Sequence, residues 1–158
     1  MSGATQLRRS RRLVPGAVLL LAAISATACS KDSVSADPAV APFVGDWAAD
    51  TLVLTSVADP QTSPDFIALG ATFTLNVQPS GQYTAILLYS GQSQTEIGNL
   101  EVSGETVTLR RTYPSASTTA GTYSFSGDHL VIDGETQFDF NFDGTLEPAL
   151  LHLDLVKK

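Results

Sequence analysis

Nine residues near the C-terminus carry a spacing that can hold a cation: Asp139-Phe140-Asn141-Phe142-Asp143-Gly144-Thr145-Leu146-Glu147. Oxygen side chains fall at loop positions 1, 3, 5 and 9, with glycine at 6, as in the opening of a calcium loop. A hard cation needs oxygens converging from alternate residues, and the glycine permits the sharp turn. Asp139, Asn141, Asp143 and Glu147 are therefore the candidate metal set, for weak calcium binding and no other cofactor. Two features depart from the pattern. Position 12 is Leu150, where a bidentate carboxylate belongs, and no flanking helices are predicted. A simpler arrangement fits better: Phe138, Phe140 and Phe142 face a core, Asp139, Asn141 and Asp143 face water, and Asp143-Gly144 turns the chain.

The remaining chemistry is thin. His129 and His152 sit in alternating segments, opposite the apolar residues, and read as surface imidazoles. No serine lies in a Gly-x-Ser-x-Gly elbow, and two histidines with one cysteine are too few for a typical zinc site. No phosphate-cradling loop or dinucleotide fingerprint is present. The inventory points away from an enzyme. Arg110 and Arg111 are adjacent, and adjacent strand residues face opposite ways. One of them could point into a barrel and hold a ligand's carboxylate through two hydrogen bonds. The plainer reading leaves both solvated near a strand end.

The elements that must position these groups have a period of two. Phe73, Leu75 and Val77 alternate with threonine and asparagine; Val107 and Leu109, Tyr123 and Phe125, and Leu151, Leu153 and Leu155 repeat the pattern. One apolar face per strand marks half-buried antiparallel strands, with a sandwich or a barrel as the outcome. Ser-Gly at 80–81, 90–91, 103–104 and 126–127, and Asp-Gly at 133–134 and 143–144, supply turns. Gly98 to Leu109 also aligns with Gly121 to Ile132 at a constant offset of 23, each copy reading as one hairpin. Successive similar hairpins favour an up-and-down meander, which must close or cover its edges. Eight strands are expected, at about 46–57, 70–78, 82–90, 94–102, 105–113, 117–126, 128–142 with a break, and 148–156. Between the first two, Pro64 to Gly70 is expected to form one helical turn, a lid over one end.

The N-terminus specifies an address. Arg8, Arg9, Arg11 and Arg12 precede an apolar stretch from Leu13 to Ala28, then Ala26-Thr27-Ala28-Cys29-Ser30. The stretch is 16 residues, short of the roughly 20 that span a bilayer. Charged, apolar and small residues in that order form a secretory signal. The sole cysteine, placed just after the small residues, makes it resemble the signal of a bacterial lipoprotein. That resemblance implies lipidation of Cys29, cleavage before it, and a membrane anchor. Ser30 rather than aspartate after the cysteine implies the outer membrane, facing the periplasm, as in enteric bacteria. The domains expected are 1–28 as signal peptide, 29–42 as lipidated cysteine and flexible tether, and 43–158 as barrel. Residues 29–158 keep five cations against all 16 acids, a formal charge of −11. That field disfavours nucleic acid and anionic headgroups, so attachment would depend on the lipid.

Gly45-Asp46-Trp47 opens the first strand as Gly-x-Trp does in lipocalins, and Gly121-Thr122-Tyr123 with Gly127 and Leu130 is similar to hairpins of bacterial lipocalin-like lipoproteins. The resemblance covers Phe43 to Lys158. It implies an all-β, antiparallel, up-and-down eight-stranded lipocalin-like barrel, the alternative being a β-sandwich. It further implies that Trp47 plugs the closed end, with a basic residue of the last strand, here Lys157, packed over it. A ligand cavity would be lined by Phe73, Leu75, Tyr83, Tyr123 and Phe125, with Trp47 at its base. The function expected is a monomeric, non-enzymatic envelope lipoprotein whose barrel binds a small apolar ligand. The alternative is a structural or protein-interaction module of the envelope with a filled core.

Overall fold

The computed structural model describes residues 37–141 and 143–158. The signal segment, Cys29 and Phe142 lie outside the described residues. Eight strands form: β1 (Gly45–Ser56), β2 (Thr72–Val77), β3 (Gln82–Tyr89), β4 (Gln92–Ser103), β5 (Thr106–Tyr113), β6 (Ser117–Ser126), β7 (His129–Phe138) and β8 (Glu147–Lys157). Each pairs antiparallel with its sequence neighbours, and β8 returns to β1, giving one closed up-and-down barrel. The sandwich alternative is thereby excluded.

Alternation places the core, but two bulges correct its phase. In β1 the register against β8 shifts between Ala49 and Thr51. Asp50 is the extra residue, so the inward parity passes from odd (Trp47, Ala49) to even (Leu52, Leu54, Ser56). In the β4–β5 pair the shift falls between Ile97 and Gly98, and Thr112 is the extra residue. It turns Tyr113 outward, where it is 55% exposed, while Arg111 faces in, opposite Gly98.

The 23-residue repeat has a structural cause. A Cβ on Gly98 would drive into the carbonyl oxygen of Arg110, and one on Gly121 into that of Asp133. Arg110 and Asp133 are themselves 23 apart, so both hairpins use their leading glycine for the same close approach of two backbones. The wall bends sharply there, as a barrel this small requires.

The expected tether is shorter at its domain end. Residues 38–40 form a turn and Ala41–Phe43 a single 3₁₀ turn, and both fold onto the barrel. Val40 is 5% and Phe43 0% exposed. Tether-like composition hid them because a short apolar pair among small residues has no period. Full burial of a phenylalanine contributes roughly 1.5–3 kcal/mol toward the cost of ordering the residues that carry it.

The segment between β1 and β2 takes one helical-type turn rather than a helix. Leu69 N–H donates to the Asp65 carbonyl at 3.1 Å, Asp65 Oδ1 caps Ile67 N–H at 3.0 Å, and Gly70 ends the turn at φ 90°. β2 pairs with β1 only over Gly45 to Ala48, so the rest of that β1 edge is open to other partners. Leu54 N–H donates to Pro64 O, Ser56 N–H to Thr62 O, and Phe66 N–H to Leu52 O. The loop thus completes the sheet where β2 falls short.

Replacing Gly98 or Gly121 by alanine should cost about 2 kcal/mol through overpacking. Gly104→Ala, in open space at φ 60°, should cost about 1 kcal/mol through backbone conformation alone. Urea denaturation of the three variants checks the order, and equal losses would show that close approach is not what the repeat preserves.

Candidate functional site

The two ends of the barrel differ. At one end meet the start of β1 and the end of β8. Trp47 is 2% exposed and its indole Nε1 donates to the Phe43 carbonyl at 2.7 Å. Phe43 packs edge-on against Tyr123 and Phe125, with ring centroids 4.8 and 5.1 Å away. Lys157 Nζ lies 5.2 Å from the Trp47 ring centroid, a cation–π contact. The first residue of the Gly-x-Trp motif makes room for this. Gly45 has φ 133°, and a Cβ there would stand 3.1 Å from Lys157 Cε. Leu75, Val77, Tyr83, Leu100, Leu130 and Leu155 complete the packing, all buried.

The other end is open. A cup of about 1030 Å³ runs in from the mouth, at the upper end of the size range of small-molecule sites. Leu52, Leu54, Phe73, Leu87 and Leu151 form its apolar wall, and Phe66 and Phe138 reach in from the lid and from the end of β7. Phe66 holds that lid down. Its ring meets Tyr89 at 5.3 Å and Phe138 at 5.0 Å, both edge-on.

One side of the cup is polar. Gln92, Gln94, Glu96, Arg111, Ser117 and Thr119 line it. Arg111 Nη1 pairs with Glu96 Oε1, and its Nε donates to the Ser115 carbonyl at 2.9 Å. The glycine opposite Arg111 leaves space for the guanidinium to reach Glu96, two residues along the same face of β4. Arg110 points outward and pairs with Glu101 at 2.7 Å. The adjacent arginines therefore split between inside and outside, as strand geometry demands.

Tyr83 lies across Gly98 from Arg111. A Cβ on Gly98 would come within 2.7 Å of its ring. Burial, helped by the charge of Glu96 and opposed by Arg111, pushes the Tyr83 phenol up to about 12.

Of the six residues expected to line a cavity, Phe73 does so. Trp47, Leu75, Tyr83, Tyr123 and Phe125 belong to the packed end and are corrected to core or plug. The period of two assigns a face but says nothing of which end of the barrel is filled. The overlooked segment Val40 to Phe43 decides that. The signal available in the sequence was polar residues in inward register: Gln94, Glu96, Arg111 and Thr119 mark the stretch that stays wet.

The Asp139–Glu147 loop closes on itself. Asp139 accepts from Asp143 N–H at 3.1 Å and Gly144 N–H at 2.8 Å, Asn141 Oδ1 from Asp143 N–H, and Glu147 Oε2 from Phe140 N–H. Hydrogen bonds from Thr145 hold the Asp143 carboxyl below its ordinary range. Among the described residues, no three His, Cys, Asp or Glu side chains converge as a metal group. These hydrogen bonds show a turn stabilised by its own side chains. Both histidines face outward on the β7–β8 wall. His129 Nδ1 lies 2.9 Å from Asp154, and His152 Nδ1 2.7 Å from Asp133. Donation of a hydrogen bond to the Asp154 carboxylate raises the His129 pKa. A shallower concavity of about 600 Å³ crosses the outer wall at Gly121 and Gly134. It is the outside of the bend those glycines make, and it lacks the enclosure of the cup.

No protein-family model, no curated protein and no solved structure matches the chain.

The Tyr83 shift has a sign that can be tested. The folded state holds the phenolic proton more tightly than the unfolded chain, whose value is near 10.0. Stability should therefore be independent of this group below pH 10 and fall as pH rises toward 12, by at most about 1.4 kcal/mol per pH unit. Urea unfolding of Tyr83→Phe against the parent should show a shallower alkaline loss in the variant. Identical slopes would place the phenol in water.

Proposed function

We propose that this chain is a non-enzymatic, lipid-anchored protein of a bacterial cell envelope whose barrel holds a small, largely apolar molecule in its open cup. The observation that carries the reading is the asymmetry of the barrel. One end is sealed by Phe43, Trp47 and Lys157, and the other opens into a walled cavity of about 1030 Å³. A cavity this large, with an apolar wall facing a polar one, has the size and the mixed lining of a small-molecule site. The lipocalin-like resemblance of Gly45 and Trp47 supports the same reading, since the structure gives those residues the packing the resemblance implies. Fold likeness alone grants no ligand, so the cup carries the weight.

The anchor rests on the signal anatomy around Cys29. The described chain joins the barrel at its plugged end, through Val40 and Phe43. A binding role suits the placement of both histidines on the outer wall, paired with carboxylates and away from the cup. The alternative, an interaction module, draws on Val57, Leu69, Tyr113 and Leu146, exposed apolar residues of the loops and strand ends around the mouth.

Native mass spectrometry of the protein extracted from membranes in mild detergent tests both parts. The mature mass should begin at Cys29 and carry a diacylglycerol, with a further small apolar adduct. Leu87→Trp, which fills the cup, should remove the adduct and keep the anchor. A protein bare of adduct, and bare still after incubation with envelope lipid extract, would contradict the binding reading. A mass beginning at Met1 would contradict the anchor.

A further inference from the structure

The charge around the cup limits what its ligand can carry. This inference rests on the reading of the cup as a small-molecule site. Among the described residues that line it, Arg111 is the one cation, against the inward Glu96 and the rim residue Asp139. The guanidinium is already engaged, with Glu96 through Nη1 and with the Ser115 carbonyl through Nε. Asp139 spends hydrogen-bond capacity on two loop amides but keeps its negative charge at the rim.

An incoming carboxylate would find the charge of Arg111 already neutralised by Glu96 and would have to compete with that acid for the guanidinium. It would also meet the field of Asp139 at the rim, where water screens less well than in bulk. Over a longer range, the formal charge of −11 on residues 29–158 repels it again. A hydrogen-bond donor has the opposite experience. Glu96 keeps its second oxygen, Oε2, as an acceptor, and the amides of Gln92 and Gln94 and the hydroxyls of Ser117 and Thr119 stand along the same side.

We infer that the cup selects amphipathic molecules whose polar end is a hydrogen-bond donor, neutral or an ammonium, over carboxylates with the same apolar part. Arg111 is then a counter-ion that keeps Glu96 in place, not a clamp for an acidic headgroup. Apolar tail and polar end are assigned to opposite walls: Leu52, Leu54 and Leu151 on β1 and β8, Glu96 on β4.

The test uses the chain from Cys29 to Lys158, made without its lipid and checked for fold by circular dichroism. The neutral fluorophore N-phenylnaphthylamine is displaced by dodecylammonium, dodecanol or dodecanoate, each below its aggregation concentration, at neutral pH and low salt. Dodecylammonium and dodecanol should bind about tenfold more tightly than dodecanoate, the ammonium's advantage shrinking at high salt. Glu96→Gln frees Arg111 and should raise the affinity for dodecanoate about tenfold. Arg111→Gln should weaken dodecanoate further and leave dodecanol unchanged. Dodecanoate binding most tightly to the parent, or an order unmoved by Glu96→Gln, would overturn the inference while leaving the cup as a site. Failure of the fluorophore and all three competitors to bind would overturn the small-molecule reading itself, and this inference with it.

Discussion

The structure depends on the closure of β8 onto β1. Nine residue pairs, from Trp47 with Lys157 to Ser56 with Ala149, zip the last strand to the first. A meander that stopped short would expose two edges along its length, each a row of unpaired backbone groups. Closure removes both and brings the two termini of the barrel to the same end. That is why Lys157 can lie over Trp47, and why the chain entering through Val40 and Phe43 arrives where it can seal the floor. The bulge at Asp50 belongs to this seam. Without it, one run of β1 would present either Trp47 or Leu52 and Leu54 to water, since a one-residue slip reverses every face.

A closed eight-stranded barrel can fill its interior or leave room for one small ligand. This chain does both, at opposite ends. Large side chains gather where the N-terminal arm adds Phe43 and Val40 to the core. Toward the mouth, inward positions pass to glutamine, threonine and one ion pair. A buried, half-satisfied pair would be costly. Here Arg111 and Glu96 are both partly exposed, so water completes what the protein leaves unsatisfied. The lid shares this compromise. Phe66 is anchored between Tyr89 and Phe138, while the backbone of its segment stands in for the missing length of β2.

Much of the fold was legible because the barrel is built from short-range signals. Strict alternation in β2 and β8, the Ser-Gly turns, Asp143-Gly144 and the repeated hairpin give eight strands whose ends fall within two or three residues of those observed, except in β7, where Asp133-Gly134, expected as a turn, lies inside one continuous strand paired on both sides. The repeat was visible as a pattern before its cause was known. Its cause, two backbones approaching over Gly98 and Gly121, belongs to the partner strand and cannot be seen in a single segment. The bulges escaped for the same reason: Asp50 and Thr112 are ordinary strand residues until a neighbour fixes the register. The site was the least legible part. Tyr83, Tyr123 and Phe125 are as apolar and as inward as Phe73, and only the three-dimensional position of Phe43 separates a packed end from an open one. Strand geometry marks the Arg110–Arg111 pair without saying which of the two faces in, and the partner of Arg111, Glu96, lies 15 positions away on another strand.

The central claim is that one barrel has a sealed end and a receptive end. Amide chemical-shift mapping with N-phenylnaphthylamine tests it most directly, since it reports position and not only binding. Leu52, Phe73, Leu87 and Phe138 should shift on addition of the fluorophore, with Trp47, Leu75, Tyr123 and Leu155 unmoved. Shifts centred on Trp47 and Tyr123, or none in the cup residues at saturating probe, would contradict the account.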